Sequence, residues 1–336
     1  MMLGRSKQSE KMKAKFVDVI KQFKKAKILV IGDIILDEFI WGKVNRISPE
    51  APVPVVNVER ESFMPGGSLN VANNIRTLKG NVYPAGIVGR DLRGRMLVRL
   101  MKKDGVEIEG IIYDESRPTT LKTRIIAHSQ QVVRFDRENK QSVAVSQKKK
   151  LLHFIKKKIK EVDCVVIEDY GKGVIVPDLI KEVIKVAKEY KKHILVDPKE
   201  EHFSYYKGVT SITPNYKEAL SACGFKNGEN VKVETVGKKL LKQLALSSVL
   251  LTLGEQGMVL FEKNGDITKI PTAAQEVFDV SGAGDTVIAV FAMALAVGVS
   301  LKEAAILANI AAGIVVGKVG TACISQKELI DAIKKS

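Results

Sequence analysis

The chain has 336 residues, 45% apolar and 27% charged, so it is long enough for a globular enzyme with a sizeable core. Its formal net charge is +16, but the Lys runs are mixed with Glu at helical spacing, which favours solvated helix faces over a nucleic-acid surface. Three widely separated cysteines and four histidines without metal-ligand spacing argue against a disulfide framework and a zinc site.

Membrane insertion is also disfavoured. The charged start of the chain lacks an apolar leader, and the longest uncharged stretch, residues 286–301, is shorter than the ~20 residues that a membrane-spanning helix needs. We therefore expect a cytoplasmic protein with no membrane partner, and we interpret 286–301 as a buried helix of the core. The positive charge would attract small anionic substrates.

Short apolar runs alternate with helical patterns along the chain. Strands are predicted at 28–31, 82–88, 164–167, 194–196, 211–213 and 249–253. Helices are predicted at 69–78, 96–103, 148–160, 179–190 and 233–244. This alternation predicts an α/β fold of three layers, with helices on both faces of a mostly parallel sheet, in a single domain spanning 1–336.

Two segments, approximately 38–60 and 111–137, do not fit the alternation. The first contains three prolines, and the second contains a partly alternating stretch from Thr119 to Phe135 that predicts a hairpin. We predict that the two insertions form a small β-sheet lid, which could exclude water from a reaction. The same sheet could serve as a dimer interface, with or without the lid function.

Polar residues directly follow several predicted strands. They are Asp33, Asp91, Asp169, Asp197 and Asn215. Because sites in parallel sheets lie at the carboxyl ends of the strands, we expect these residues along one rim.

Two further patterns suit a sugar and a nucleotide. Gly66 and Gly67 open a helix whose first turn contains Asn70, an arrangement suited to a polyhydroxylated ligand. Asn215 and Glu218 have the spacing of a capping box, but they could also organise water around a phosphate-bound Mg²⁺. Candidates for lining a nucleotide at the end of a strand are Thr252, Gly254 and Gly257. A Walker-type loop and a dinucleotide fingerprint are both absent, which disfavours those binding modes.

The run from Asp279 to Thr286 combines a Gly-rich turn, a helix start and a carboxylate. Free N–H groups and the positive end of the helix dipole favour phosphate at such a point. Asp285 is either an acidic residue in the first turn, common for dipole reasons, or the base that accepts a hydroxyl proton during phosphoryl transfer.

Taken in chain order, Asp33, the Gly66-Gly67 turn, the Asn215–Glu218 pair, the Thr252–Gly254 turn and the Asp279–Asp285 run resemble the ribokinase-like (PfkB) carbohydrate kinases. The resemblance spans residues 27–330. Within that family, the segments 46–55, 169–174 and 196–199 look like those of the D-glycero-β-D-manno-heptose 7-phosphate kinases. The resemblance implies an eight- or nine-stranded sheet, a β lid, ATP with Mg²⁺ and often a monovalent cation such as K⁺.

The resemblance also implies roles for individual residues. Asp285 would be the general base, helped by the backbone N–H groups of Gly282, Ala283 and Gly284. Residues implied for the nucleotide are Asn215, Tyr216, Lys217, Glu218, Thr252, Gly254, Gly257 and Asn309. Residues implied for the phosphosugar are Asp33, Asp37, Gly66, Gly67, Asn70, Arg124, Lys172 and Lys199. Glu218 would serve Mg²⁺ through water, and Asp279 would belong to the loop for a monovalent cation.

The expected reaction is the ATP-dependent phosphorylation of the heptose 7-phosphate at its C1 hydroxyl. Many relatives carry a C-terminal nucleotidyltransferase domain, which this sequence is expected to lack. A homodimer through the lid is a further implication of the resemblance. Two alternatives stay open, a kinase for another sugar or sugar phosphate and a non-catalytic sensor of nucleotide or sugar.

Overall fold

The computed structural model describes residues 2–128, 130–226, 228–274, 276–318, 320 and 322–335. In chain order the strands are β1 (Lys27–Gly32), β2 (Ile34–Ile47), β3 (Pro54–Gly67), β4 (Asn81–Gly89), β5 (Ile111–Asp114), β6 (Thr120–Ala127), β7 (Gln130–Arg137), β8 (Cys164–Glu168), β9 (His193–Asp197), β10 (Ser211–Ile212), β11 (Ser248–Thr252), β12 (Met258–Glu262) and β13 (Ile267–Ile270). The helices are α1 (Met2–Gln22), α2 (Ser68–Thr77), α3 (Leu92–Lys103), α4 (Val145–Ile159), α5 (Pro177–Glu189), α6 (Tyr216–Ala222), α7 (Val233–Gln243), α8 (Ala283–Ala296), α9 (Leu301–Val315) and α10 (Gln326–Lys335).

A nine-stranded sheet forms the centre of the fold, in the order β13-β12-β11-β10-β9-β8-β1-β4-β5. The strands are parallel except at one end, where β12 runs antiparallel to both of its neighbours, β11 and β13. Every residue of β8 is buried, as expected for a parallel strand covered on both faces. The predicted fold class, a mostly parallel α/β sheet, is therefore confirmed.

Helices cover both faces of this sheet and enclose two apolar cores. On one face, α8 and α9 pack with α1, α2, α3 and α10, and on the other face lie α4, α5, α6 and α7. Residues 286–295 of α8 are all buried. The predicted helix 286–301 ends earlier, at Ala296, because Gly298 turns the chain at φ 86° and α9 then starts with its own capping box at Ser300. None of the described helices is long and apolar enough to cross a membrane.

A second sheet of four strands, in the order β3-β2-β6-β7, stands beside the first. Its long β2–β3 hairpin begins directly after β1 and returns directly into α2. The predicted hairpin in 119–135 is present as β6 and β7. The predicted boundaries differ in two ways. The first insertion is longer than the predicted 38–60, because its two strands run from Ile34 to Gly67. The second predicted segment, 111–137, includes β5, which pairs with β4 in the large sheet and not with the small one.

Candidate active site

Asp285 lies in the first turn of α8, with its side chain buried at 4% exposure. Two side chains donate hydrogen bonds to its carboxylate. Asn70 Nδ2 on α2 reaches Oδ2, and the Tyr170 hydroxyl, from the loop after β8, reaches Oδ1 at 2.9 Å. Burial raises the pKa of Asp285, while these two hydrogen bonds favour its ionised form. The result is an oriented carboxylate with lone pairs left to accept a proton.

Two more acids crowd Asp285, and sequence reasoning identified neither as part of the centre. Glu168 ends β8 and Asp197 ends β9, and one oxygen from each lies within 4.8 Å of the others and of Asp285. Burial is the main cause that raises the pKa of Glu168 and of Asp197, and the neighbouring carboxylates add to it. Asp197 was predicted only as a rim residue. The one sequence feature that could have identified Glu168 is its position as an acidic residue at the end of an apolar run.

This acidic cluster has the ligand chemistry of a divalent cation site. Glu168 Oε2 is buried without a hydrogen-bond partner in the described part of the chain. Hard oxygen ligands suit Mg²⁺, and an added positive charge would offset the repulsion among three buried carboxylates. The residues present therefore fit the Mg²⁺ that the resemblance implies. Glu218 is close enough for its charge to act on Asp197.

The start of α8 offers donors for an anion. Gly282 is the N-cap in the left-handed conformation, at φ 77°, which a residue with a side chain rarely adopts. In the described structure, the N–H groups of Gly282 and Gly284 have no acceptor, whereas Ala283 N–H donates to Val280 O at 3.2 Å. The three predicted donors are therefore not equally free, and the two glycines carry the open N–H groups.

Asp33 is engaged with backbone rather than open to a ligand. Its carboxylate accepts N–H groups from Tyr170 and Lys172 at 3.0 Å and from Val174 at 3.2 Å. Burial raises its pKa to about 6, against the opposing effect of these three donors. Asp33 was predicted to hold sugar hydroxyls. In the structure it holds the loop that carries Tyr170, so its contribution to the site passes through that loop.

Asp37, Gly66 and Arg124 form one group at the base of the small sheet. Arg124 Nη1 lies 2.6 Å from Asp37 Oδ1. A Cβ at Gly66 would lie only 2.1 Å from Asp37 Oδ2, so only glycine allows the carboxylate to approach the β3 backbone here. The predicted phosphosugar residues Asp37, Gly66 and Arg124 are therefore brought together, and Arg124 is already paired with a carboxylate.

The first two turns of α2 contact α8 through amides. Asn74 Nδ2 donates to Asn70 O at 3.0 Å, and Thr286 Oγ1 donates to Asn74 Oδ1 at 3.2 Å. Asn74 was not predicted, although its spacing of four residues from Asn70 places both on one helix face. Gly67, at φ 57°, is the N-cap of α2 and accounts for the turn that brings Asn70 under Asp285.

The predicted phosphate ligands Lys172 and Lys199 line one cleft of about 380 Å³, together with Tyr170, His202 and Tyr205. Lys172 Nζ lies 2.5 Å from Glu138, and both side chains are mostly buried. Lys199 is more exposed and lies 3.7 Å from Glu201. The cleft is therefore basic, but both lysines have acidic neighbours.

The predicted nucleotide residues lie on the other side of Asp197. Asn215 and Glu218 form the capping box of α6, and Asn215 bridges to Thr252 of β11. Lys217 is exposed, whereas the Tyr216 hydroxyl donates to Val231 O and packs toward the core. No described atom would contact a Cβ at Gly254, which leaves that turn open.

The remaining two nucleotide candidates have structural contacts. Gly257 adopts φ 87° beside β13, where a Cβ would lie 2.2 Å from Ile270 O. Asn309 Nδ2 donates to Pro271 O at 2.8 Å and so fixes the segment after β13. Both residues therefore fix the chain at the end of β13, beside the predicted nucleotide residues.

Asp279 ties two loops together next to α8. Its carboxylate accepts N–H groups from Ser281 and from Gly320, each at 2.9 Å. Burial opposes ionisation, but the hydrogen bonds lower the pKa of Asp279.

The predicted rim acids Asp91 and Asp169 make hydrogen bonds that hold neighbouring segments in place. Asp91 caps α3, and Asp169 accepts hydrogen bonds from His202 and Tyr206.

A buried carboxylate in the first turn of a helix with free N–H groups, at the carboxyl ends of a parallel sheet, has the geometry expected of a phosphotransferase of the sugar-kinase class. Comparison with known proteins agrees, since the sequence pattern described as "pfkB family carbohydrate kinase" matches residues 25–327. The chain belongs to the pfkB family of carbohydrate kinases, and the predicted enzyme class, an ATP-dependent sugar kinase, is confirmed.

Curated relatives share more than two fifths of the aligned residues. The "Bifunctional protein HldE" of Desulfatibacillum aliphaticivorans is 44% identical over 310 residues, which cover 92% of this chain and 63% of the relative. The protein of the same name from Helicobacter pylori strain J99 is 45% identical over 303 residues, 90% of this chain and 65% of the relative. This chain therefore spans less than two thirds of the length of these relatives.

Solved structures share the fold at lower identity. Arabidopsis thaliana ribokinase complexed with ribose and ATP has a TM-score of 0.71 at 19% identity, covering 93% of this chain and 99% of that one. Escherichia coli phosphofructokinase-2 in complex with substrates and products has a TM-score of 0.75 at 18% identity, covering 92% and 98%. These likenesses confirm the ribokinase-like architecture.

Proposed function

We propose that the protein phosphorylates D-glycero-D-manno-heptose 7-phosphate at its C1 hydroxyl, with ATP as donor. The observation that carries the chemistry is Asp285, buried and oriented by Asn70 and Tyr170 at the open N-terminus of α8. The heptose is supported by the segments 46–55, 169–174 and 196–199 and by relatives that carry the name HldE.

In the proposed reaction, Asp285 accepts the proton of the C1 hydroxyl as the oxygen attacks the γ-phosphorus of ATP. The Gly282 and Gly284 N–H groups, with the helix dipole, stabilise the negative charge of the transferring phosphoryl group. The helix start therefore serves both the base and the anion. Asn70 and Tyr170 hold the base in place, and Asp33 holds Tyr170 through its loop.

Mg²⁺ would be held by Glu168 and Asp197, with Glu218 acting through water. When bound, it neutralises phosphate charge and orients the phosphates. Asn215, Lys217, Thr252 and Gly254 would line the nucleotide, with Tyr216, Gly257 and Asn309 supporting their backbone. The Asp279 loop would hold a monovalent cation such as K⁺ if one is used.

The sugar would lie between α2 and the small sheet. Asp37 on β2, Gly66 and Gly67 on β3 and Asn70 on α2 would hold its hydroxyl groups. Placed above the rim, the small sheet would act as a lid that keeps water from the γ-phosphate.

The decisive experiment measures ADP release with a panel of sugar 7-, 6- and 1-phosphates, with Asp285→Asn as the blank. We expect turnover with the heptose 7-phosphate. Asp285→Asn should lower kcat by about two to four decades while nucleotide binding is retained, because the proton acceptor is lost.

Activity with ribose or fructose 6-phosphate, and none with the heptose 7-phosphate, would contradict the proposed substrate and leave the kinase class intact. Near-normal turnover by Asp285→Asn would contradict the assignment of the base. Nucleotide binding without turnover on any sugar would indicate a sensor.

We also propose that two copies associate through the small sheet. Its described strands and tip carry six exposed large apolar side chains, an unusual number for a solvated surface. They are Ile47, Val53, Val58, Val132, Val133 and Phe135.

A further inference from the structure

We propose that Lys122, a residue absent from the sequence-based site, binds the phosphate group that the acceptor sugar already carries. This inference rests on the proposed function, because it requires a phosphorylated acceptor. Lys122 lies on β6 of the small sheet, in register with Asp37 of β2. Its Nζ lies 4.9 Å from the centre of the Tyr170 ring, whose hydroxyl contacts Asp285. One aromatic ring therefore separates this ammonium from the catalytic carboxylate.

Lys122 differs from its basic neighbours in having no carboxylate within ion-pair distance among the described residues. Arg124 is paired with Asp37, and Lys172 is paired with Glu138. Within the described residues, Lys122 forms no ion pair, and its contact with the face of Tyr170 is the interaction that positions it. A partly exposed ammonium that makes no direct ion pair is available to bind an anion.

The charges around Lys122 are mixed. Burial lowers the pKa of the Lys122 ammonium and the charges of Lys172 and Arg124 act in the same direction, whereas Asp37 and Asp136, its register partners on β2 and β7, oppose them. Two further cations, Lys172 and Arg124, thus lie near Lys122, and each of those two is paired with a carboxylate. A phosphate dianion would compensate the charge of Lys122 and gain charge-assisted hydrogen bonds.

The position of Lys122 favours the acceptor's phosphate over those of the nucleotide. It shares its sheet and register with Asp37, on the sugar side of Asp285. The nucleotide side begins across Asp197, at the Asn215–Thr252 bridge. Lys122 would therefore recognise the far end of the sugar, together with Lys172 in the adjoining cleft.

The test compares a phosphorylated acceptor with its unphosphorylated parent. For Lys122→Met, which keeps an apolar stem, we expect KM for the heptose 7-phosphate to rise about 10- to 100-fold, the loss typical of one charged hydrogen bond. KM for ATP should change less than about 3-fold. Affinity for the unphosphorylated heptose, measured by calorimetry, should stay within about 2-fold of wild type, because the lost contact is to phosphate.

Two controls separate phosphate recognition from a structural role. Lys122→Arg should recover most of the loss, since it restores the charge. Lys43→Met, on β2 of the same sheet, removes an exposed lysine paired with Glu59 and should leave all constants unchanged. An equal loss for both sugars, or a loss confined to ATP, would overturn the proposal.

Failure of the proposed function would appear in the wild type instead. If the wild type prefers another sugar phosphate, the same comparison with that compound and its parent sugar decides the role of Lys122. Exclusive use of unphosphorylated sugars would overturn both proposals.

Discussion

At the residue scale, the burial of Asp33 makes the free energy of unfolding depend on pH. It is buried, its folded-state pKa is about 6 compared with an ordinary value of 3.8, and its carboxylate accepts three backbone N–H groups. Between these two pH values the folded protein binds more protons than the unfolded chain. The stability that comes from Asp33 is therefore complete below about pH 4 and is lost as pH rises through 6.

We predict that the free energy of unfolding of the wild type, relative to Asp33→Asn, falls by up to about 3 kcal/mol between pH 4 and pH 7. Denaturant unfolding at several pH values measures this difference, which cancels the titration of groups common to both proteins. A difference that is flat or rises with pH would contradict the raised pKa of the buried Asp33 carboxylate.

The residue scale also limits what the sequence could predict. The run ending at Asp285 was recognisable because helix starts and glycines have local signatures. Glu168 and Tyr170 were not assigned to the centre, since their contacts with Asp285 join β8 to α8 across more than a hundred residues. Asp33 was correctly placed on the rim, but its neighbours could not be known, so its hydrogen bonds to the 170–174 backbone were missed.

At the element scale, the contact between α2 and α8 sets the orientation of Asp285, the proposed base. Asn70 and Asn74 lie on one face of α2, and they bond to Asp285 and Thr286, consecutive residues of α8. Both amides are fully buried, so losing one leaves unsatisfied polar groups inside the core.

We predict that Asn74→Ala lowers the free energy of unfolding by about 1–3 kcal/mol, because Thr286 Oγ1 loses one of its two acceptors, keeping Gly282 O, and Asn70 O loses its side-chain donor. Asn73→Ala is the matched control, since its half-buried side chain makes no hydrogen bond in the described structure. That change should cost less than about 1 kcal/mol. Equal effects of the two changes in denaturant unfolding would show that the buried amide network is unimportant.

Elements with a strong local pattern were predicted well. The amphipathic helices α5 and α7 and the apolar strands β1 and β8 appear within a few residues of their predicted bounds. The edge strand β5 was assigned to the lid, because four residues carry little information about which sheet they join. The basic start of the chain gave no helix prediction, yet α1 packs against the core through Phe16 and Ile20.

At the scale of the whole molecule, the small sheet decides the state of assembly that we propose. Val133 and Phe135 are 45% and 49% exposed in the isolated chain. They lie on the same small sheet as Asp37 and Gly66, which we assign to the sugar. Burying such side chains between two copies would supply much of the free energy of association.

We predict that the wild type sediments as a dimer and that Phe135→Lys sediments as a monomer at the same concentration. Leu92→Lys serves as the control, because Leu92 is equally apolar and 72% exposed but lies on α3. Analytical ultracentrifugation distinguishes the species. A dimer that survives Phe135→Lys would place the interface elsewhere.

The hairpin of β2 and β3 connects the proposed sugar site to the surface that we propose as the dimer interface. Asp37 and Gly66 lie at its base, while Ile47 and Pro54 lie at its tip. Any partner that holds the tip therefore also restrains the carboxylate that we assign to the sugar. Association and sugar binding would then be linked, and by reciprocity each would strengthen the other equally. We expect sugar affinity to fall when the protein is diluted below the dissociation constant of its dimer.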